Sequence, residues 1–272
     1  MTEIKIKPIK GLSRLNLTEL WQYRELFYFL AWRDIKVRYK QTIIGILWAI
    51  LQPFLTMVVF SIFFSRVAGI SSGNIPYPIF IYTGLLFWNY FSNSLNAASG
   101  SLIAEQAVIK KIYFPKIIMP LASTLVYLID FAFAVIILIG MMLYYHFSPT
   151  LLGIALLIPA LIITFLSFSG LGLIFSAVNV KYRDVRYVLP FFTQLLIFIT
   201  PVIYATSILG KYQWLWYLNP MSGVIETMRA GLLGIGTINW GLFSSSLILS
   251  ILLFCFGIFY FKKSEKNFAD LI

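Results

Sequence analysis

LLGIALLIPALIITFLSFSGLGLIFSAV, Leu151–Val178, runs for 28 residues without one ionisable side chain. A membrane span needs about 20 apolar residues to cross roughly 30 Å of hydrocarbon, and this run exceeds that. Working outward, five further runs have the same character, at about 43–64, 79–99, 117–145, 188–208 and 242–261. Backbone groups in lipid must pair within their own segment, so each run is expected to be a helix. The runs at 117–145 and 151–178 exceed the minimum and are expected to tilt or protrude. Pro53, Pro120, Pro159, Pro190 and Pro201 lie inside or at the edge of runs and predict kinks or ends.

Composition agrees. Of 272 residues, 60% are hydrophobic and 11% charged, and the mean hydropathy is +0.87. Too little polar surface remains to cover a soluble core. No repeat, low-complexity tract or second soluble domain interrupts the pattern. The expected fold is an all-α polytopic membrane protein with six transmembrane helices, residues 43–272, preceded by a polar segment, residues 1–42. That opening segment has no short apolar core with a cleavage site, so it does not read as a signal peptide.

The net charge of +11 would suggest nucleic acid, but the basic residues sit between the apolar runs. The segment before the first run carries nine Lys and Arg, and 100–116, 179–187 and the tail after 261 carry three each. The opposite loops, 65–78, 146–150 and 209–241, carry one, none and two, so the division is 18 against 3. The positive-inside rule then puts both termini in the cytoplasm and makes nucleic acid the weaker reading. Cys255 and His146 are each alone in the sequence, so no disulfide framework and no His/Cys metal site is expected.

Residues 18–40 carry Leu20, Tyr23, Phe27, Leu30 and Ala31 at helical spacing among Arg24, Glu25, Arg33, Lys36, Arg38 and Lys40. This pattern predicts an amphipathic helix in the cytoplasmic interface, with Trp21 and Trp32 at headgroup depth. Residues 211–237 are too polar and broken to span. Two short interfacial or re-entrant helices around Asn219-Pro220 are expected there, with Glu226 and Arg229 paired three residues apart.

Signatures of catalysis are missing. No G-x-x-x-x-G-K-[ST] phosphate loop occurs, Gly170-Leu-Gly172 follows no strand, and there is no G-x-S-x-G elbow. Ionisable groups at mid-membrane mark ion-coupled transport, and only Asp130 qualifies. It reads as a helix-packing group bonded to a Ser or Tyr, or as a pore or proton group. Without a basic partner it makes a poor relay. The loop Ser101–Pro115 predicts a short helix ending at Phe114-Pro115, placed to dock on a soluble partner or to cover helix ends. The loop Asn179–Arg186 carries dense charge of both signs and suits a partner or a solvated turn. Aromatics crowd the first two runs and the outer side: Phe54, Phe60, Trp88, Tyr90, Tyr204, Trp216. Such rings can stack on sugars, or belt the interface.

Five pieces of the chain resemble the permease subunits of ABC type-2 exporters for polysaccharides and polyol phosphates, closest in pattern to O-antigen export permeases. They are Arg33-Asp-Ile-Lys-Val-Arg-Tyr-Lys-Gln-Thr42 with Gly45, Trp48 and Gln52-Pro53; Lys111-Ile-Tyr-Phe-Pro115; Tyr182-Arg-Asp-Val185; Pro201-Val-Ile-Tyr204; and Asn219-Pro220. The resemblance implies a homodimer in the bacterial inner membrane, two copies of a separate ATPase holding ATP and Mg2+, and an undecaprenyl-diphosphate-linked polysaccharide as substrate. It implies ATPase coupling through Glu105, Lys110, Lys111, Tyr113, Phe114, Pro115, Arg183 and Asp184. It implies a channel lined by Phe54, Phe60, Trp88, Tyr90 and Tyr204, gated by Trp216, Asn219, Pro220, Glu226 and Arg229. No cofactor or metal on this chain itself is implied. Teichoic-acid or capsule export shares the pattern. An ATP-independent flippase or glycan transferase is the reading from a different class.

Overall fold

The computed structural model describes residues 17–40, 46–67, 69, 75–234, 236–266 and 268. The opening residues 1–16, the stretch 41–45 where the first apolar run begins, and the last four residues lie outside them. Helices α1 (Leu17–Gln22) and α2 (Arg24–Lys40) come first. Helix α3 (Ile46–Phe60) continues into a π-helical stretch over Ser61–Val67. There follow α4 (Tyr77–Ala104), α5 (Gln106–Ile109), α6 (Ile118–Ala122), α7 (Leu125–Tyr144), α8 (Leu151–Lys181) and α9 (Val185–Ile199). A 3-10 helix over Thr206–Leu218, then α10 (Pro220–Leu233) and α11 (Trp240–Glu265), complete the chain.

Short polar residues start the later helices. Thr150 Oγ1 accepts from the Gly153 N–H at 2.9 Å, Asn219 Oδ1 from Met221 and Asn239 Oδ1 from Leu242, each at 3.0 Å. Each satisfies an N–H that the first helical turn leaves free. Pro220 in the first turn of α10 suits the same rule. Gly234, at φ 66°, closes α10 in the left-handed region that glycine adopts without strain. Pro53, Pro159 and Pro190 lie inside α3, α8 and α9. The 117–145 run is divided at Ser123–Thr124, just past Pro120, into α6 and α7.

Among the described residues, four helical stretches are long and apolar enough to cross a membrane: Leu47–Ser65, Ile118–Tyr144, Leu151–Lys181 and Trp240–Glu265. The second and fifth runs depart from the six-span expectation for different reasons. Helix α4 has 28 residues, about 42 Å at 1.5 Å each, so length does not limit it. Its composition does: Thr83, Asn89, Ser92, Asn93, Ser94, Asn96 and Ser99 stud it. Most of its side chains are buried against protein, because α4 is the central helix, packed by α3, α7, α8 and α10. Several hydroxyls bond their own helix, as Thr83 does to Ile79 O at 2.8 Å and Ser99 to Asn96 O at 2.8 Å. Helix α9 stops after 15 residues, about 22 Å, which is short of the hydrocarbon thickness. The chain turns at Thr200, so 188–208 is a helix and an elbow.

The 18–40 stretch is divided at Tyr23, and of α2 only Leu30 and Ala31 are buried. Trp21 and Trp32 are exposed. Helix α10 is mostly buried against α4, α8 and α11, so for Pro220–Leu233 the re-entrant alternative stays open and the interfacial one does not.

Two apolar clusters form the core. The larger surrounds Ile79–Leu95 of α4; the smaller joins Leu30, Leu102, Phe114, Leu173, Phe261 and Phe268 at the basic end. Helix α8 meets its neighbours along glycine seams. A Cβ on Gly153 would collide with the Gly231 backbone of α10, and one on Gly257 of α11 with that of Gly170. Between these helices Ser167 and Ser250 share a hydrogen bond at 2.7 Å. In lipid the hydrophobic effect does not drive helices together, so close backbone approach and polar bonds carry association.

Candidate functional site

The elbow between α9 and the 3-10 helix is held by one guanidinium. Past the exposed end of α9 the chain becomes buried at Thr200, and the turn 200–205 leaves carbonyls with no helical donor. Arg229 of α10 is 4% exposed and donates to Pro201 O at 2.6 Å, Val202 O at 2.5 Å, Phe80 O at 3.1 Å and Tyr204 O at 3.4 Å. Its guanidinium carbon lies 3.6 Å from the centre of the Phe80 ring. Tyr77 adds a bond to Ile203 O at 2.7 Å. Arginine's planar fork of five N–H donors suits several carbonyls at once. The expected Glu226–Arg229 ion pair is not formed: Glu226 Oε1 accepts from Thr206 Oγ1 at 3.1 Å. Helical spacing allows the pair, but the buried carbonyls claim the arginine.

Beside the elbow is an apolar pocket of about 480 Å³. It joins four segments that carry expected channel and gate residues: Trp88 of α4, Tyr204 of the elbow, Trp216 of the 3-10 helix, and Asn219-Pro220. Tyr204 and Trp216 rings lie 5.9 Å apart. Phe54 and Phe60 are not part of it. Phe54 is exposed on α3, and Phe60 packs edge-on against Phe64 at 5.4 Å. Tyr90 is in the core, edge-on to Phe168 at 5.1 Å.

Tyr90 also borders a small polar cavity of about 30 Å³ with Gln52, Asn89, Asn93 and Asp130. Asp130 does have a basic partner, which corrects the expectation from sequence: Arg38 Nη2 lies 2.6 Å from its Oδ2. The Tyr39 hydroxyl donates to the other oxygen. Burial, then Asp130, push the Tyr39 hydroxyl up, so it stays a donor. Arg38 also lies over the Tyr127 ring at 4.8 Å. The end of α2 is thereby fastened to α7. Nothing in local spacing marks Arg38 or Tyr39 as partners of a residue some ninety positions later.

At the basic end the expected coupling residues divide. Glu105, at the break between α4 and α5, receives Arg33 in a two-pronged bond at 2.5 and 3.0 Å. Arg33 also touches Asp34 at 2.8 Å. The Glu105 bond raises the Arg33 guanidinium above its usual value, against burial, with Asp34 adding to it. Phe114 and Pro115 are buried. Their turn is tied to α11 by the Lys116 N–H, which donates to Glu265 at 3.1 Å. Lys110, Lys111 and Tyr113 are exposed at its tip, as are Arg183 and Asp184 in the next turn. Helix α5 has only four residues, shorter than the helix expected to end at Phe114-Pro115. Arg33, half-buried and about seventy residues away, is the member that sequence reading placed in a motif and on the polar side of the 18–40 helix, but not with Glu105.

Residues 25–233 match the family model described as ABC-2 type transporter. The chain belongs to the ABC-2 type transporter family. This ABC-2 chain is 29% identical over 253 residues to the "O-antigen export system permease protein RfbA" of Klebsiella pneumoniae, covering 91% of this chain and 95% of that one. It is 30% identical over 217 residues to the protein of the same name from Myxococcus xanthus, covering 78% and 82%. It is 28% identical over 243 residues to the "Polysialic acid transport protein KpsM" of Escherichia coli, covering 86% and 91%. The ABC-2 match takes in α2 to α10, and so the Arg33–Glu105 and Arg38–Asp130 contacts and the Arg229 elbow.

Proposed function

We propose that this ABC-2 chain is the membrane-spanning subunit of an ATP-driven exporter that moves a lipid-linked polysaccharide of the O-antigen class across the bacterial inner membrane. The observation that carries the reading is the similarity to O-antigen export permeases over 91% of the chain. Two copies of this subunit work with two copies of a separate ATP-binding subunit. The exposed apolar faces of α3 with its π-helical continuation and of α9, carrying Phe54, Phe63, Phe191 and Phe198, leave room for a second copy as neighbour beside lipid. Six crossings follow when α4 serves as the central span and α9 with its elbow as the fifth. The concentration of Lys and Arg at one end supports cytoplasmic termini.

In this reading the ATP-binding subunit docks on Lys110, Lys111 and Tyr113, with Arg183 and Asp184 on the neighbouring turn. Glu105 does not face the partner. It passes the movement of the docking turn to α2 through Arg33. Phe114 and Pro115 root the turn in the basic-end core. At the other end the 3-10 helix gates the path against a fixed α10, with Trp216, Asn219 and Pro220 at the pocket and Arg229 of α10 holding the hinge backbone. Capsule polysaccharide is the second reading of the cargo, and the similarity to a protein named for polysialic acid transport supports a polysaccharide other than O-antigen.

Proteoliposomes holding the chain with and without its ATP-binding subunit test this. Lipid-linked O-antigen is expected to reach the lumen only with both subunits and ATP. Translocation that persists without the ATP-binding subunit refutes an ATP-driven permease.

A further inference from the structure

We infer that the pocket at the elbow holds the hydrocarbon tail of the lipid-linked substrate and not its sugars. The identification of the tail rests on the proposed export function. The apolar character of the site does not.

Carbohydrate sites combine aromatic faces with free donors and acceptors, because each buried hydroxyl must keep its hydrogen bonds. Here the wall has already used its polar side-chain groups, apart from the Trp88 indole N–H. The Tyr204 hydroxyl donates to Phe198 O. The Trp216 indole N–H donates to Thr206 O at 2.9 Å. Asn219 gives its amide to Thr200 Oγ1 at 2.9 Å and accepts the Met221 N–H at 3.0 Å. Thr200 in turn donates to Leu196 O at 2.8 Å. What remains toward the space are ring faces and the side chains of Leu196, Ile199, Leu215 and Leu253. A sugar entering would lose water and gain few partners. A hydrocarbon chain loses nothing polar and gains dispersion contacts.

Size and access fit. About 480 Å³ is within the range of ligand pockets, roughly 300–1,000 Å³. Ile199, Leu215 and Leu218 of the lining are exposed, so the pocket is continuous with the apolar outer surface of the bundle. Trp88 and Trp216, by contrast, are each 4% exposed and form its inner wall. Its place against the elbow and the gate segment favours the tail of a lipid that travels with the polysaccharide over an ordinary bilayer lipid. A tail joined to the cargo must rest within reach of the gate while the sugars pass.

The test uses the full chain with its ATP-binding subunit in phosphatidylethanolamine and phosphatidylglycerol vesicles. The probe is a long-chain polyprenyl phosphate carrying a diazirine on its chain. Its counterpart is a phospholipid with a diazirine on an acyl chain. After illumination, labelled peptides are mapped. The polyprenyl probe is expected to label the Trp88 and Trp216 peptides at least fivefold more than the phospholipid probe at equal membrane fraction. Unlabelled polyprenyl phosphate should compete, and water-soluble O-antigen oligosaccharide should not. Leu253→Trp, which fills the pocket, should cut that labelling at least fivefold while labelling of exposed Ile248 stays. The wild-type map needs no variant, so misfolding of Leu253→Trp leaves the test intact.

Absence of label at both tryptophans overturns the inference. So do equal labelling by the two probes, displacement by the oligosaccharide, or cross-links showing a second copy seated in the pocket. Labelling needs neither ATP nor glycan. If the export reading fails while polyprenyl labelling stands, the tail site survives it. If export stands and labelling fails, only the tail site falls.

Discussion

Replacing Arg229 with methionine keeps an unbranched apolar stem and removes every donor. Four hydrogen bonds disappear, and three of these are 3.1 Å or shorter. Each buried carbonyl left without a donor costs roughly 1–3 kcal/mol. Water entering the elbow recovers part of this, so a loss of about 4 kcal/mol is expected. At about 2–4 °C per kcal/mol for a chain of this size, the apparent unfolding midpoint in detergent should fall by roughly 8–16 °C. Amides of 202–206 should exchange faster with deuterated solvent, because the turn loses its fixed backbone. Arg229→Lys should lie between, since one ammonium cannot reach carbonyls spread around a planar fork. Glu226→Gln is the control: it keeps an acceptor for Thr206 and should shift the midpoint by no more than about 2 °C. Two results refute the reasoning. One is an Arg229→Met protein that melts and exchanges like the wild type. The other is a Glu226→Gln protein as damaged as Arg229→Met, which would return the guanidinium to the carboxylate.

Arg33→Glu or Glu105→Arg alone should reduce ATP-driven export several-fold, and the double exchange should restore much of it; no rescue means that the two side chains act separately. Lys110→Glu with Lys111→Glu should leave membrane insertion and folding unchanged but separate ATP hydrolysis from export in proteoliposomes, and unchanged export removes this tip as the docking element. Gly257→Leu should abolish stable protein on size-exclusion chromatography, because its side chain meets the Gly170 backbone. Gly100→Ala, where a Cβ meets nothing within 4 Å, should be neutral or stabilise by about 0.5–1 kcal/mol through helix propensity.

The apolar runs made the helices legible, because hydrocarbon thickness and backbone pairing leave little choice of structure. Pro120, Pro201 and Asn219-Pro220 fall at breaks or turns, whereas Pro53, Pro159 and Pro190 lie inside continuous helices. The polar helix α4 shows the limit of hydropathy. Its serines and asparagines lower the average, yet they are affordable because the helix lies at the centre of the bundle. Pairing was less legible. Glu226 and Arg229 are three residues apart and were open to one another, but a local rule cannot see carbonyls that a distant helix end delivers. Asp130 read as isolated because Arg38 comes from another element. Glu105 read as one of the residues facing the ATPase, because only the fold brings Arg33 of α2 beside the end of α4. Trp88, Tyr204 and Trp216 were marked as aromatics in apolar sequence. That they share one pocket, with the Tyr204 hydroxyl and the Trp216 N–H bonded elsewhere, is a property of the packed elbow.

The glycine contacts between α8 and its neighbours α10 and α11 give the molecule an internal ruler. Backbones touching at Gly153–Gly231 and Gly170–Gly257 cannot slide without a steric clash, so spin labels on these three helices should keep constant separations throughout the transport cycle. Labels on α3 or α9, measured against that frame, would then report displacement of the helix itself rather than tumbling of the whole bundle.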